Sequence, residues 1–402
     1  MRSVVVLGST GSIGESTLAV ADALPDAVRI VGLATRGKAR MVIEQARRFG
    51  ARVVAVEDSA AAREAERLAA PHGIEVWAGA EGVEALAALP EADTAVCALV
   101  GLAGLRPTLA AIEAGHDVAL ATKEVLVSAG ELVMRRRAEK GVDLLPLDSE
   151  HSALFQCLQE SGSEVACVRR ESPVAPGVGG AEARIARLVL TASGGPFALL
   201  PEVDFARVTP EQALAHPRWK MGRKVTVDSA TMMNKGLELL EARWLFDVPV
   251  GKIGVVVHPE SIVHSLVTFV DGSTLAQLSV PDMRVPIQYA MTWPERMASA
   301  VPELDLARQG SLTFFEPDER RFPCLGLIRE ASRQGGTMPA ALNAADEVAV
   351  EAFLGGAIAF DGIWRAVDKV MAAHEARPCD SFAAVFEVDA WARRMARQMC
   401  VR

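Results

Sequence analysis

The chain has 402 residues, half of them hydrophobic and 23% charged, enough for two or three globular domains with substantial cores. Its formal net charge is −9 with no basic stripe, which argues against a nucleic-acid partner, and no apolar run approaches the length of a bilayer span. The amino terminus enters a strand pattern directly rather than an apolar leader, and the six cysteines are scattered without a C-x-x-C pair. A cytoplasmic location is therefore expected, and neither a disulfide framework nor a structural zinc site is.

The apolar run Val4–Leu7 ends at Gly8 and is followed by a helix pattern over Ile13–Leu24. Strand-like runs recur at Arg29–Ala34, Arg52–Val56, Thr94–Leu99, Asp117–Ala121 and Asp143–Leu147, separated by helical patterns at Met41–Phe49, Ala60–Ala70, Pro107–Ala114 and Glu124–Lys140. Alternation of this kind predicts an α/β domain with a mostly parallel sheet covered on both faces. The stretch Glu160–Ala183 is rich in Ser, Gly and Pro and reads as a surface loop. Beyond it, strands are expected at Arg187–Thr191, Val225–Val227, Ile253–Val257, Ile262–Val270 and Ser273–Ser279, with a strong helix over Ala230–Phe246 and a hairpin at Asp271-Gly272. This predicts a second, α+β domain with an antiparallel sheet. A proline-bearing stretch with little periodicity reads as a linker, and helical patterns including Ala340–Leu354 and Val388–Met399 predict a helical carboxy-terminal domain. The expected boundaries are 1–148, 149–292, linker 293–322 and 323–402.

The turn Gly8-Ser-Thr-Gly11-Ser-Ile-Gly14 joins the first strand to the first helix. Glycines there let backbone N–H groups approach a pyrophosphate at a helix amino terminus, so a Rossmann-type dinucleotide site is expected. An NAD site would carry an acid at the end of the second strand; this chain has LATRGKAR, with Arg36 and Lys38 placed to meet a 2′-phosphate, which favours NADPH. Without that context both would be solvated loop charges.

Asp148-Ser149-Glu150-His151 follows the last strand of the first domain. If the segment is extended, Asp148 and Glu150 share a face, and two such carboxylates suit a hard divalent cation such as Mg2+ or Mn2+. The bland alternative is that Asp148 or Ser149 caps the next helix. Asn234, Lys235 and Glu238 lie on one helical face after Ser229, a grouping suited to a phosphate or polyol, although a Lys–Glu pair is more often solvated. Thr191-Ala-Ser193-Gly-Gly195-Pro is a candidate anion nest or an ordinary turn, and His216-Pro-Arg-Trp219-Lys-Met221-Gly222 a candidate lid, unless Trp219 and Met221 are core anchors.

In order, GSTGSIG, TKE at 122–124, LDSEH at 147–151, SGGPF at 193–197, HPRWKMGRK at 216–224, VDSATMMNKGLE at 227–238 and HPESIVHS at 258–265 closely resemble the 1-deoxy-D-xylulose 5-phosphate reductoisomerase family over nearly the whole chain. The resemblance implies a Rossmann-type NADPH domain, a central α+β catalytic domain, a carboxy-terminal helical bundle and a homodimer. It implies that Asp148, Glu150 and Glu238 hold Mg2+, Mn2+ or Co2+. It places Lys123, Ser149, Ser193, His216, Ser229, Asn234 and Lys235 on a sugar-phosphate substrate, with Trp219 and Met221 in a mobile flap. It places Thr10, Gly11, Ser12, Ile13, Gly37, Lys38, Glu124 and Gly222 on NADPH, with Arg36 beside them. Three positions depart from the usual pattern: Thr122 and Ala39 each stand where Asn is common, on the cofactor side, and Ala198 where Arg is common. The implied chemistry is rearrangement of a ketose phosphate by retro-aldol cleavage and re-addition, then hydride reduction of the resulting aldehyde. Glu150 or Lys123 is expected to move the proton. The alternatives are another NADP-dependent dehydrogenase, of the semialdehyde or homoserine type, and a non-catalytic NADPH sensor.

Overall fold

A computed structural model describes residues 1–162, 165–168 and 184–400, so most of the Ser/Gly/Pro-rich stretch lies outside the described residues. Among these, β1 (Arg2–Leu7), β2 (Val28–Thr35), β3 (Val53–Val56), β4 (Glu75–Ala78), β5 (Thr94–Cys97), β6 (Asp117–Leu120) and β7 (Leu144–Pro146) form a parallel sheet in the order β4-β3-β2-β1-β5-β6-β7. Val4, Val5, Val6 and Leu7 are completely buried, as a strand covered on both faces requires. The helices between the strands are α1 (Ser12–Ala23), α2 (Ala39–Phe49), α3 (Ser59–Ala69), α4 (Gly79–Ala87), α5 (Leu105–Ala114) and α6 (Lys123–Lys140). The chain order reverses between β1 and β5, and a crevice opens at such a switch point.

The pair β4 and α4 has no counterpart in the periodicity reading. β4 is a half-exposed edge strand, Glu-Val-Trp-Ala, too short and too polar to register as an apolar run.

The helix α7 (Ser149–Glu160) leads into a second sheet of β8 (Ile185–Ala192), β9 (Ile253–Val257), β10 (Val263–Phe269) and β11 (Thr274–Leu278), ordered β11-β10-β8-β9. β10 runs antiparallel to β8 and β11, while β9 runs parallel to β8. The outer edge of β9 is covered at Val257, whose N–H donates to the Phe315 carbonyl at 2.8 Å. β11 carries exposed residues at Thr274, Leu275 and Ala276.

The expected strand at Val225–Val227 is a helix, Arg223–Thr231. The β-branched run favours a strand locally, but Thr226, Val227 and Ala230 are buried along one side of the helix, and tertiary packing overrides the propensity. The helix expected from Ala230 begins at Met233, because Met232 takes a left-handed conformation with φ 63° and breaks the chain into two helices.

The helices Cys324–Gln334, Met338–Leu354, Gly362–Ala373 and Phe382–Met399 make up the carboxy-terminal region. Met338–Leu354 is central: it packs on the other three, on α6 and on Arg223–Thr231. Phe197, Phe205, Phe322, Phe353, Phe360 and Trp364 form an aromatic knot, with Phe197 and Phe360 centroids 5.4 Å apart. It fastens the SGGPF segment to the last helices.

Candidate active site

The glycine turn sits at the sheet's switch point. A Cβ on Gly14 would lie 2.3 Å from the Gly8 carbonyl oxygen and 2.4 Å from Ser9 Cα, so the turn closes only around glycine. Gly11 precedes α1 without a side-chain cap, leaving the first N–H groups of that helix for an anion. Thr10 is buried, its hydroxyl 2.7 Å from that of Thr35. Lys38 Nζ donates to the Thr10 carbonyl at 2.9 Å, stitching the glycine turn to the loop after β2. Gly37, Lys38 and Ala39 line a shallow groove of their own. Arg36 is exposed on the same loop.

Most of the residues singled out from sequence meet in one cleft, lined among others by Ser12, Ile13, Lys123, Asp148, Ser149, Glu150, Ser193, His216, Trp219, Met221, Gly222, Ser229, Asn234, Lys235 and Glu238. Asp148 and Glu150 do converge, but not through strand alternation. Asp148 is the N-cap of α7, its carboxylate accepting from the Ser149 N–H at 3.1 Å, and Glu150 stands in the first helical turn. The capping reading and the cluster reading are thus both satisfied by one residue.

One oxygen each of Asp148, Glu150 and Glu238 lie within 4.8 Å of one another. Two lysines interleave with them. Lys123 Nζ is 2.5 Å from Asp148 Oδ2 and 3.2 Å from Glu238 Oε1, and it donates to Asn234 Oδ1 at 2.9 Å. Lys235 Nζ is 2.7 Å from Glu150 Oε1 and also bonds Glu238 Oε2. Three carboxylates against two ammonium groups leave a negative charge in a buried site. Asp148 Oδ2, although close to Lys123, makes no well-directed hydrogen bond. That oxygen, with an all-carboxylate donor set, fits a hard divalent cation.

The electrostatics assign protonation states. Burial and the neighbouring Glu150 push Glu238 up to about 7. Burial would raise Glu150 too, but the Lys235 ammonium overrides it and holds the group below the usual range. For Lys123, burial opposes the charge, yet Asp148, Glu238 and Glu241 together hold its pKa well above the ordinary value, so it stays an ammonium. Behind Asp148, His151 is wholly buried: its Nε2 lies 2.9 Å from the Glu238 carbonyl and its Nδ1 3.3 Å from Glu241 Oε2. Burial pulls His151 down to about 4 and drives Glu241 up, so this group supports the ligand helices as neutral side chains.

At the other end of the cleft, His216 Nδ1 accepts from the backbone N–H of Arg218 at 3.2 Å and of Trp219 at 2.9 Å. The proton of the neutral ring therefore sits on Nε2, which donates to Ser193 Oγ at 2.9 Å. Burial lowers the His216 pKa and favours that neutral form. Ser193 keeps its own O–H to donate outward. Gly194 and Gly195 follow with φ of 81° and 60°, and a Cβ on Gly195 would come within 2.7 Å of the Ser229 carbonyl oxygen. This close approach places the Ser193 turn against the helix that carries Ser229.

Thr122 and Glu124 do not line the cleft. The Thr122 hydroxyl bonds the Leu99 carbonyl, tying the end of β5 to the start of α6, and Glu124 faces Lys224 at 3.6 Å. Ser261, His264 and Met283, to which sequence reasoning gave no role of their own, also line the cleft, as do Thr191 of the candidate anion nest and Lys220 of the candidate lid. His264 stood inside the HPESIVHS motif, and the fold brings it to the cleft with its Nε2 2.9 Å from Ser279 Oγ. Ser261, at φ 54°, stood in the same motif.

A Rossmann-type sheet whose switch-point crevice runs into a buried carboxylate cluster defines a nucleotide-dependent oxidoreductase with a divalent-cation site. Family models described as 1-deoxy-D-xylulose 5-phosphate reductoisomerase match residues 4–130, with its C-terminal domains matching 144–246 and 278–395. The 1-deoxy-D-xylulose 5-phosphate reductoisomerases of Prosthecochloris aestuarii and Pelotomaculum thermopropionicum are each 49% identical, covering 98% of this chain and 99% and 97% of theirs. The Zymomonas mobilis reductoisomerase in complex with NADPH superposes with a TM-score of 0.88 at 40% identity over 99% of both chains. A reductoisomerase in complex with NADPH, fosmidomycin and magnesium gives 0.89 at 38%, over 100% of this chain and 98% of that one. The chain belongs to the 1-deoxy-D-xylulose 5-phosphate reductoisomerase family. Membership decides against the semialdehyde and homoserine dehydrogenases, whose likeness would leave the carboxylate cluster unexplained.

Proposed function

We propose that the protein converts 1-deoxy-D-xylulose 5-phosphate to 2-C-methyl-D-erythritol 4-phosphate, using NADPH and a divalent cation, in the non-mevalonate route to isoprenoids. The observation that carries this reading is one cleft lined both by Ser12 and Ile13 of the dinucleotide turn and by Asp148, Glu150 and Glu238. A cation there supplies Lewis acidity toward vicinal oxygens, and NADPH supplies the hydride. Asp148, Glu150 and Glu238 would hold the cation. Ser193, His216, Ser229, Asn234 and Lys235 would hold the phosphate and nearby hydroxyls, with Ser149 beside the reacting carbons. Glu150, held ionised by Lys235, is suited to accept the hydroxyl proton during rearrangement. Lys123, held as an ammonium, is suited to donate to the oxygen that becomes an alcohol as hydride arrives. Trp219 and Met221 would close over the substrate and keep water from the aldehyde.

Mixing protein, NADPH, Mg2+ and the sugar phosphate should bleach the nicotinamide absorbance, and EDTA should stop it. Cofactor binding with no sugar-dependent bleaching would leave a sensor. On the cofactor side, Arg36, Gly37 and Lys38 would meet the 2′-phosphate, with Thr10, Gly11, Ser12, Ile13, Ala39, Thr122, Glu124 and Gly222 around the remainder. Lys38→Ala should weaken NADPH by roughly tenfold or more, the size of a charge-assisted contact, and NADH much less. Equal losses for both nucleotides would remove Lys38 from that role.

The same reading divides the chain into a nucleotide domain (1–148), a catalytic domain (149–292), a linker (293–322) and a helical domain (323–402) of a cytoplasmic homodimer. No helix among the described residues is long and apolar enough to cross a membrane. The dimer is supported by β11, whose outer edge pairs with no strand among the described residues and whose Leu275 is 41% exposed, with Val270 at 68%. Leu275→Lys should shift the sedimentation profile toward monomer. A parent protein that sediments as a monomer at micromolar concentration would discard the dimer.

A further inference from the structure

One buried charge cluster lies outside the cleft, and of its members only Glu124 has a place in the reading above, beside NADPH. Lys224 Nζ is 2.6 Å from Asp228 Oδ2, 3.1 Å from Asp346 Oδ2 and 3.6 Å from Glu124 Oε1. Asp228 and Asp346 are 1% and 0% exposed. The cluster gathers three separate stretches of chain. Glu124 is in the first turn of α6, Lys224 and Asp228 share the helix Arg223–Thr231, and Asp346 comes from the carboxy-terminal helix Met338–Leu354. Three of the four members stand within two residues of the cleft. Glu124 follows Lys123, Asp228 precedes Ser229, and Lys224 stands two residues beyond Gly222, where the flap segment ends.

The next residue of Met338–Leu354 makes a second contact with the nucleotide side. Glu347, paired with Arg393 at 2.5 Å, fills the space beside Gly101, where a Cβ would come 2.8 Å from Glu347 Oε1. Gly101 opens the turn Gly101–Gly104 after β5, at the switch point of the sheet. One turn of a single helix thus abuts both the turn after β5 and, through Asp346, the helix that follows the flap segment.

One ammonium facing three buried carboxylates is an expensive way to glue helices, since apolar packing of the same volume commonly does as well or better. What such a cluster supplies is a fixed geometry. We propose that Lys224, clamped by Asp228 and Asp346, is a positioning residue that sets Glu124 and the Gly222 hinge for the nicotinamide nucleotide, so that the carboxy-terminal helix tunes cofactor affinity. The proposal rests on the NADPH reading of the glycine turn.

The test is NADPH affinity of the full-length protein by nucleotide fluorescence, without sugar phosphate, for Asp346→Asn, Glu124→Gln and the double variant. Each single substitution should raise the NADPH Kd about tenfold, and the double about tenfold to thirtyfold, because linked residues are not additive. Metal affinity and the sugar-phosphate KM should stay within about twofold, since neither residue touches those groups. A double variant near a hundredfold, the product of independent sites, overturns the proposal. So does an Asp346→Asn protein whose melting temperature falls while its NADPH Kd is unchanged, the result a purely structural cluster gives. Should Asp346→Asn not fold, Lys224→Arg keeps the charge and displaces it; parent-like NADPH affinity in that variant overturns the proposal as well. Lys38→Ala reports separately on the cofactor reading, so the two failures are distinguishable.

Discussion

A Glu238→Gln protein should fold as the parent does and turn over at least about a hundredfold more slowly. Changing a residue that merely hydrogen-bonds to a metal's ligands already costs roughly ten- to a hundredfold, and Glu238 is placed to ligate directly. Glutamine preserves the shape of a side chain that is 1% exposed, and its amide oxygen can still face Lys123. What it removes is the excess negative charge, since two acids then oppose two lysines and little remains to hold a divalent cation. Stability should move the other way. Glu238 has its folded pKa raised to about 7 from 4.5, so its contribution is full below the unfolded value and is lost as pH rises through the folded one. The glutamine variant escapes that loss, and its metal-free melting temperature at pH 8 should equal or exceed the parent's. Calorimetric metal titration with a scan of melting temperature checks both halves. Near-parental turnover in limiting metal would remove Glu238 from the ligand set.

Gly14→Val is expected to do comparable damage from the other end of the cleft. Its Cβ would have to occupy space already held by the Gly8 carbonyl oxygen at 2.3 Å and Ser9 Cα at 2.4 Å, both backbone atoms that cannot rotate away. Relief requires α1 to withdraw from the turn, which pulls the free N–H groups of the helix off the pyrophosphate. Overpacking of this kind costs about 1–3 kcal/mol, and a matching loss in binding weakens NADPH by roughly ten- to a hundredfold. The variant should also melt earlier. Fluorescence titration beside a thermal melt would show it, and parent-like nucleotide affinity would mean that the turn does not carry the pyrophosphate.

The open α/β sheet was legible because its central strands are unbroken apolar runs: Val4–Leu7 could be little else once Gly8 closed it. β4 escaped notice because an edge strand needs no such run. Val225–Val227 misled for the opposite reason, a strand-like triplet held helical by what packs on it. The carboxylates were legible as chemistry but not as geometry. Asp148 and Glu150 are two apart in either reading, yet they meet through a helix cap. Glu238 joins them across a long loop of chain, and its placement there came from the family motif rather than from spacing. Lys235 and Glu238 follow a pattern that usually means a solvated pair, and only burial converts it into a site. Of the cluster at Lys224 the sequence shows only the i,i+4 pair with Asp228, because Glu124 and Asp346 join it only after folding.

The aromatic knot has a temporal consequence. Phe197, in the turn that presents Ser193, finds its partners Phe360 and Trp364 directly or through Phe205. These residues leave the ribosome about 170 residues later, on the order of ten to thirty seconds at ordinary elongation rates. Through that interval the nascent chain holds a complete nucleotide sheet but an unanchored phosphate turn and several exposed rings. The nucleotide half can therefore ripen during translation, whereas the catalytic half waits for termination and is the part most in need of a chaperone.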